Sequence, residues 1–175
     1  MKKIETIIIL FTMMLSLCFV CTGCDDKETP KTYYVATADF FYSEDKGHSY
    51  GNGTKEYSIG ETIYMQVKAK VTSNNETPEP IKIKLTIPNI TALSATYFDG
   101  QPITPTTDVV KNVTVYEFTI PSNGPEDAGK FVFEFVPNSE AQVTMTIEFD
   151  DKIDSMYDKQ NTVKFVAPKT NADGE

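Results

Sequence analysis

Tryptophan and arginine are absent from these 175 residues, and histidine occurs once, as His48. Without arginine there is no planar fork to hold a phosphate or carboxylate through two parallel bonds. The 16 basic residues are all lysine and face 25 acids, a net charge of −9. Such a balance excludes nucleic acid and anionic headgroups as partners of the surface. One histidine and no Gly-x-Ser-x-Gly elbow leave no Ser-His-Asp relay to assemble. The three cysteines, Cys18, Cys21 and Cys24, all precede residue 25, so the remainder has no thiol for a disulfide, a metal or a nucleophile. Stability then rests on the core, and a body of roughly 140 residues buries about two thirds of its unfolded surface. There is one long apolar run, residues 7–20, and it includes Thr12 and Ser16. It is shorter than the roughly 20 residues that span a bilayer.

That run has another use. Lys2 and Lys3 precede it, and the small residues Thr22 and Gly23 lead into Cys24, after which Asp25-Asp26 begins a polar stretch. This is the layout of a secretory signal. The segment Cys21-Thr22-Gly23-Cys24 resembles the lipobox of bacterial lipoproteins, with Cys21 standing where an aliphatic residue is usual. The resemblance implies cleavage before Cys24, lipid on that residue, and a protein held at the extracytoplasmic face of a membrane or outer envelope. Several acyl chains make such attachment lasting, whereas one chain is marginal. The expected organisation is a signal peptide over 1–23, a tether over 24–31, one folded domain over 32–168 and a disordered tail over 169–175. Removing Lys2, Lys3 and Glu5 with the signal leaves 14 lysines and 24 acids, a net charge of −10.

Between tether and tail the hydrophobic pattern has period two. Ile63, Met65, Val67, Ala69 and Val71 alternate with polar residues, as do Ile81, Ile83, Leu85 and Ile87. The same holds for Tyr116, Phe118 and Ile120, for Phe131, Phe133 and Phe135, for Val143, Met145, Ile147 and Phe149, and for Val163 and Phe165. Strands apolar on one side and rich in lysine or threonine on the other belong to antiparallel sheets with one wetted face. Turn chemistry separates them at Ile59-Gly60-Glu61, Phe98-Asp99-Gly100, Ser122-Asn123-Gly124-Pro125 and Pro137-Asn138-Ser139. Asp99-Gly100 favours a primed two-residue turn. The fold class predicted is all-β: one antiparallel sandwich of seven to nine strands with Greek-key connections.

One stretch carries a resemblance at the level of fold. Ser58-Ile59-Gly60-Glu61-Thr62-Ile63-Tyr64-Met65-Gln66-Val67 is followed by Asn74 or Asn75, then residues 81–85 and Ile87-Pro88. This is similar to the CARDB/DUF11 type of immunoglobulin-like domain of bacterial surface proteins. There a Gly-Asp/Glu turn opens a long strand, an asparagine ends it, and the next strand leads to Ile/Leu-Pro. The resemblance implies an Ig-like spacer or adhesion module, and it brings no catalytic residues with it.

Two clusters are candidates for chemistry. The glycine-rich segment Asp45-Lys46-Gly47-His48-Ser49-Tyr50-Gly51-Asn52-Gly53 is expected to be a mobile loop suited to recognition. Tyr42, His48, Tyr50, Asn52 and Tyr57 form the expected ligand-binding group, because tyrosine offers a large rigid face while Asn and Gly adapt around it. The second cluster is Asp150-Asp151-Lys152-Ile153-Asp154. Asp150, Asp151 and Asp154 are the candidate calcium ligands, since calcium takes six to eight oxygens. The spacing is not that of an EF-hand, and a solvated acidic turn is the competing reading. No other cofactor is expected. Four Asn-x-Thr triplets, at Asn52, Asn75, Asn89 and Asn112, are chance occurrences in a chain carrying a bacterial signal.

These readings point to a lipid-anchored, monomeric, non-enzymatic binding or adhesion module whose ligand is a glycan or a surface protein. The alternative is a structural or accessory envelope lipoprotein recognised through a sheet face or an edge strand. A hydrolase would need two carboxylates facing across a cleft.

Overall fold

The computed structural model describes residues 31–52 and 56–168. The signal, Cys24 and the tail at 169–175 lie outside the described residues, as do residues 53–55. The described residues form ten strands: β1 (Tyr34–Ser43), β2 (Glu56–Ser58), β3 (Ile63–Ser73), β4 (Ile81–Pro88), β5 (Ile90–Tyr97), β6 (Thr106–Asp108), β7 (Val113–Ile120), β8 (Lys130–Pro137), β9 (Ala141–Phe149) and β10 (Lys159–Val166). Short 3-10 turns occupy Glu126–Gly129 and Ser155–Tyr157. Eight strands are long enough to show alternation; β2 and β6, three residues each, carry the count past the expected nine.

The strands form two layers. A four-stranded sheet has the order β1-β3-β8-β5, and a six-stranded sheet has the order β2-β10-β9-β4-β7-β6. All pairings are antiparallel except that of β2 with β10. The expected all-β sandwich is thus present, with seven of its nine strand-to-strand connections changing sheet and only β6–β7 and β9–β10 forming simple hairpins. Inward-facing residues of both layers meet in an aromatic core. Phe118 of β7 lies 3.8 Å from Phe131 of β8, centroid to centroid, and Tyr116 lies 4.8 Å from Phe133. Phe131, Phe133, Phe135, Met65 and Met145 are fully buried, and each such side chain contributes about 1.5–3 kcal/mol by leaving water.

The turns set the poles of the body. At one pole lie the first residues of β1, residues 74–80 and 121–129, and the acidic segment 150–158, joined by contacts such as Glu79 N–H to the Tyr34 hydroxyl (3.4 Å) and Ser122 Oγ to Glu79 C=O (2.7 Å). At the other lie residues 43–52, 59–62, 88–90, 109–112 and 138–140, joined by Gly60 N–H to Pro137 C=O (3.0 Å) and Asn138 N–H to Asn89 C=O (3.2 Å). The two are one strand length apart, about 25 Å for eight residues. Asn89 and Asn112 both adopt positive φ (55° and 51°), and the Asn112 amide donates to Asn89 Oδ1 at 2.6 Å. Asparagine tolerates this backbone region better than other non-glycine residues. Two of the four Asn-x-Thr triplets thus mark structural kinks.

The Asp99-Gly100 turn differs from the expected primed pair. Only Gly100 has positive φ (86°), Gly100 N–H donates to Tyr97 C=O at 2.8 Å, and the chain returns with Tyr97 N–H bonded to Gln101 C=O at 2.7 Å. A primed type I turn needs positive φ at two central residues. This is the three-residue form, in which a left-handed glycine follows the turn.

Candidate functional site

The glycine-rich loop is not loose. Its base is closed by a reciprocal backbone pair, Tyr42 N–H to Gly51 C=O (2.7 Å) and Gly51 N–H to Tyr42 C=O (2.9 Å). Inside it the Asp45 carboxylate accepts from Ser43 Oγ (2.6 Å), Ser49 N–H (2.8 Å) and Ser49 Oγ (2.6 Å). Ser43 Oγ in turn accepts from Gly47 N–H at 2.7 Å. The hydrogen bonds from Ser43 and Ser49 hold the Asp45 carboxyl well below the usual carboxylate range. Loop polar groups thus satisfy one another, and the expected mobility gives way to a preorganised turn. His48 remains exposed, its Nδ1 2.6 Å from Asp45 C=O.

The loop lies against the outer face of the four-stranded sheet. Gly47, at φ 87°, is so close to two rings that a Cβ there would be 3.3 Å from the Tyr50 hydroxyl and 3.4 Å from Tyr64 Cδ1. Burial, then the neighbouring charge of Glu134, raises the Tyr50 pKa. Tyr64 stands opposite Glu134 across β3 and β8. Next along the outward row, Gln66 is flanked by its register partners Phe41 and Val132. Lys68 Nζ lies over the Phe41 ring, 4.8 Å from its centroid. Tyr50, Tyr64, Phe41, Gln66 and Glu134 therefore share one surface with the loop.

The five expected binding residues divide. His48 is exposed, Tyr50 is half-buried with its hydroxyl beside Gly47, and exposed Asn52 ends the loop, beside residues outside the description. Tyr42 is placed inside instead: it is 3 % exposed, its hydroxyl accepts from Asn161 Nδ2 at 2.7 Å, and burial raises its pKa. Even-numbered residues of β1 point into the core, so Tyr42 cannot reach a ligand while Phe41 can. Tyr57 packs on Tyr42 at 5.4 Å and is half-buried, lining an open groove of about 460 Å³ with Glu44 and Glu61. Tyr64, Gln66, Glu134 and Phe41 were not singled out from sequence. The available signal was Phe40-Phe41-Tyr42, three consecutive aromatics that put a ring on both faces of one strand.

The acidic cluster lies at the opposite pole. Asp150 Oδ1 accepts from Lys152 N–H (3.2 Å), and Asp154 Oδ1 accepts from Met156 N–H (3.1 Å) as the cap of the 155–157 turn. Asp150 and Asp151 share a hydrogen bond that lowers the first and raises the second. These oxygens cap turns, and among the described residues no group of three or more His, Cys, Asp or Glu is arranged to hold a metal ion. Asp150 and Asp151 also border an open groove of about 520 Å³ with Lys82, Lys84, Glu117 and Phe149. There Lys84 pairs with Glu148 at 3.0 Å and stands opposite Glu117, so the carboxylates face an ammonium and not one another.

Sheet edges offer little to an added strand. On β1, Ala36 and Ala38 are 1 % and 2 % exposed. β5 is interrupted by a bulge at Leu93 and partly covered by Ile103 N–H to Ala95 C=O, 2.7 Å. β2 and β6 are three residues long. Short, bulged or covered edges disfavour pairing between chains.

No family model matches the chain, and no curated protein does. Among solved structures, the cohesin module of a Clostridium perfringens family 33 glycoside hydrolase matches at 10 % identity and a TM-score of 0.47, over 79 % of this chain and 100 % of that one. A C-terminal fragment of the major pilin of Streptococcus agalactiae matches at 13 % and 0.42, over 75 % of this chain and 56 % of the fragment. A protein that catalyses macrocyclization in alchivemycin A biosynthesis matches at 12 % and 0.38, over 78 % and 92 %. None of these likenesses bears on ligand or activity.

Proposed function

We propose that this chain is a lipid-anchored extracytoplasmic binding module that meets its ligand with residues 43–52 and the adjoining outer face of the four-stranded sheet. The carrying observation is the construction of that loop. Its polar groups are used to fix its own shape around Asp45, while His48 and the rim of Tyr50 stay available. A loop ordered before binding loses less entropy on association. The sequence Thr22-Gly23-Cys24 supports the tether.

The test has two arms. Mass spectrometry of the protein from membranes checks the anchor: an acylated Cys24 is expected, and a free amino terminus or release into the medium overturns it. Sedimentation with cell-envelope fractions checks the surface. H48A/Y50A is expected to lose binding with unchanged Tm, and equal binding by the variant overturns the assignment of the loop.

A further inference from the structure

We infer that copies of this chain join head to tail, with Val109 and Val110 of one copy seated in the pocket beside Phe98 of the next. The knob is the turn between β6 and β7. Val109 and Val110 are 84 % and 96 % exposed, the two most exposed large apolar side chains among the described residues. Single apolar residues are ordinary on a surface, but turns are normally made of Gly, Pro, Asn, Asp and Ser. Here the polar residues hold the turn itself. Asp108 Oδ1 accepts from Val110 N–H and Lys111 N–H, both at 3.1 Å, and Asn89 N–H donates to Asn112 C=O at 2.8 Å. The two valines are thus held out on an ordered backbone, and β-branching leaves each few rotamers to lose on docking.

The socket lies toward the opposite pole, beside residues 121–129. Tyr97, Phe98 and Asp99 at the end of β5 meet Asp127, Ala128 and Lys130 at the start of β8 around an open pocket of about 260 Å³. Phe98, 53 % exposed, is its apolar wall, with Lys130 Nζ 4.9 Å from the ring centroid. A cavity of about 150 Å³ takes a benzene molecule, so two valine side chains fit. Charge matches as well: the Lys111 ammonium beside the valines is largely exposed, and the socket rim carries Asp99 and Asp127 against the single Lys130. A bilayer suits the tip poorly, because the chain has a net charge of −9 and the turn has no Trp or Tyr and one cation. Knob and socket sit at opposite ends, so a docked pair keeps one of each unused. Such a heterologous contact continues into an open file. The seat is far smaller than the roughly 1,200–2,000 Å² of a stable interface, so association is weak and grows with concentration. This contact is separate from the ligand surface proposed above.

Sedimentation velocity of the full chain in detergent, from about 10 μM to 1 mM, tests the inference. The sedimentation coefficient is expected to climb with concentration past that of a dimer. V109S/V110S, which removes the knob, and F98A, which removes the socket wall, should each weaken association about tenfold or more. Mixing these two variants should restore one pairing, the intact knob of F98A in the intact socket of V109S/V110S, and stop at the dimer. If F98A lowers Tm, A128E, which fills the socket, takes its place in the mixture. A wild-type chain that stays monomeric or levels off at a dimer overturns the inference, as does association indifferent to V109S/V110S or a mixture that forms no dimer. If the wild type does not self-associate while V109S/V110S loses sedimentation with cell-envelope fractions, the tip serves a different molecule and the head-to-tail assignment fails. H48A/Y50A should associate as the wild type does, and its loss of association would overturn the assignment to the tip.

Discussion

The two outer faces of the sandwich follow the same alternation and are finished differently. On the six-stranded sheet the outward row Glu117, Lys84, Glu148 runs acid, base, acid across β7, β4 and β9. Lys164 pairs with Glu56 at 3.5 Å, and the Thr144 and Thr162 hydroxyls meet at 3.1 Å. Those groups are answered within the chain. On the four-stranded sheet the outward row holds Phe41, Gln66 and Val132 abreast, with Tyr64 and Glu134 beside them. The first face is ionic and paired, and the second is aromatic and half-buried.

Substitutions should break or sharpen this contrast in order of size. Gly129→Ala is the most severe, because a Cβ there would lie 1.6 Å from the Ala69 carbonyl oxygen in β3, forcing backbone to move. A loss of about 3 kcal/mol or more is expected in denaturant unfolding, with the four-stranded face disrupted first. Wild-type stability would show that β3 and residue 129 are not in contact.

Asp45→Ala should release the loop without unfolding the body, seen as rapid amide exchange at Ser49. The same group sets the acid limit. Its folded pKa is depressed by Ser43 and Ser49, so its contribution is present above the unfolded value of about 3.9 and is lost as pH falls through the folded one. Loop protection should therefore be flat from about pH 5 to 8. Loss of Ser49 protection within that window would contradict the Asp45 geometry.

Tyr116→Phe acts between the faces. Its hydroxyl is buried with no partner among the described residues, and burial pushes its pKa up to about 12. Removing the hydroxyl should stabilise by about 1 kcal/mol. In the parent, stability should hold below the unfolded pKa of about 10 and decline as pH climbs toward the folded value. A less stable Phe variant would reveal a hidden partner.

Lys84→Ala on the six-stranded face should cost the least. Lys84 and Glu148 are both about half exposed, and such pairs contribute about 0.2–1 kcal/mol. Ligand binding should not change. If it does, the recognition face has been assigned to the wrong sheet.

Period-two alternation was enough for an all-β sandwich, because a long strand buries one side, and β3, β4, β8 and β9 fall where the pattern puts them, whereas β1 and β5 were not read as strands. It could not register β2 and β6, whose three residues are too few to show a period. The glycine-rich turn was legible from composition, while its internal hydrogen bonding was not: that depends on Asp45 reaching Ser43 and Ser49, a matter of geometry. Tyr42 was misplaced because an aromatic near a loop reads alike whichever way its strand is phased.

The frequent change of sheet has a kinetic meaning. β3 completes its pairing only when β8 arrives, bringing Ile63 beside Phe135, and β1 hangs on β3. Contacts between such distant segments make folding slow. A polypeptide of this design cannot complete its four-stranded sheet until most of it has been made.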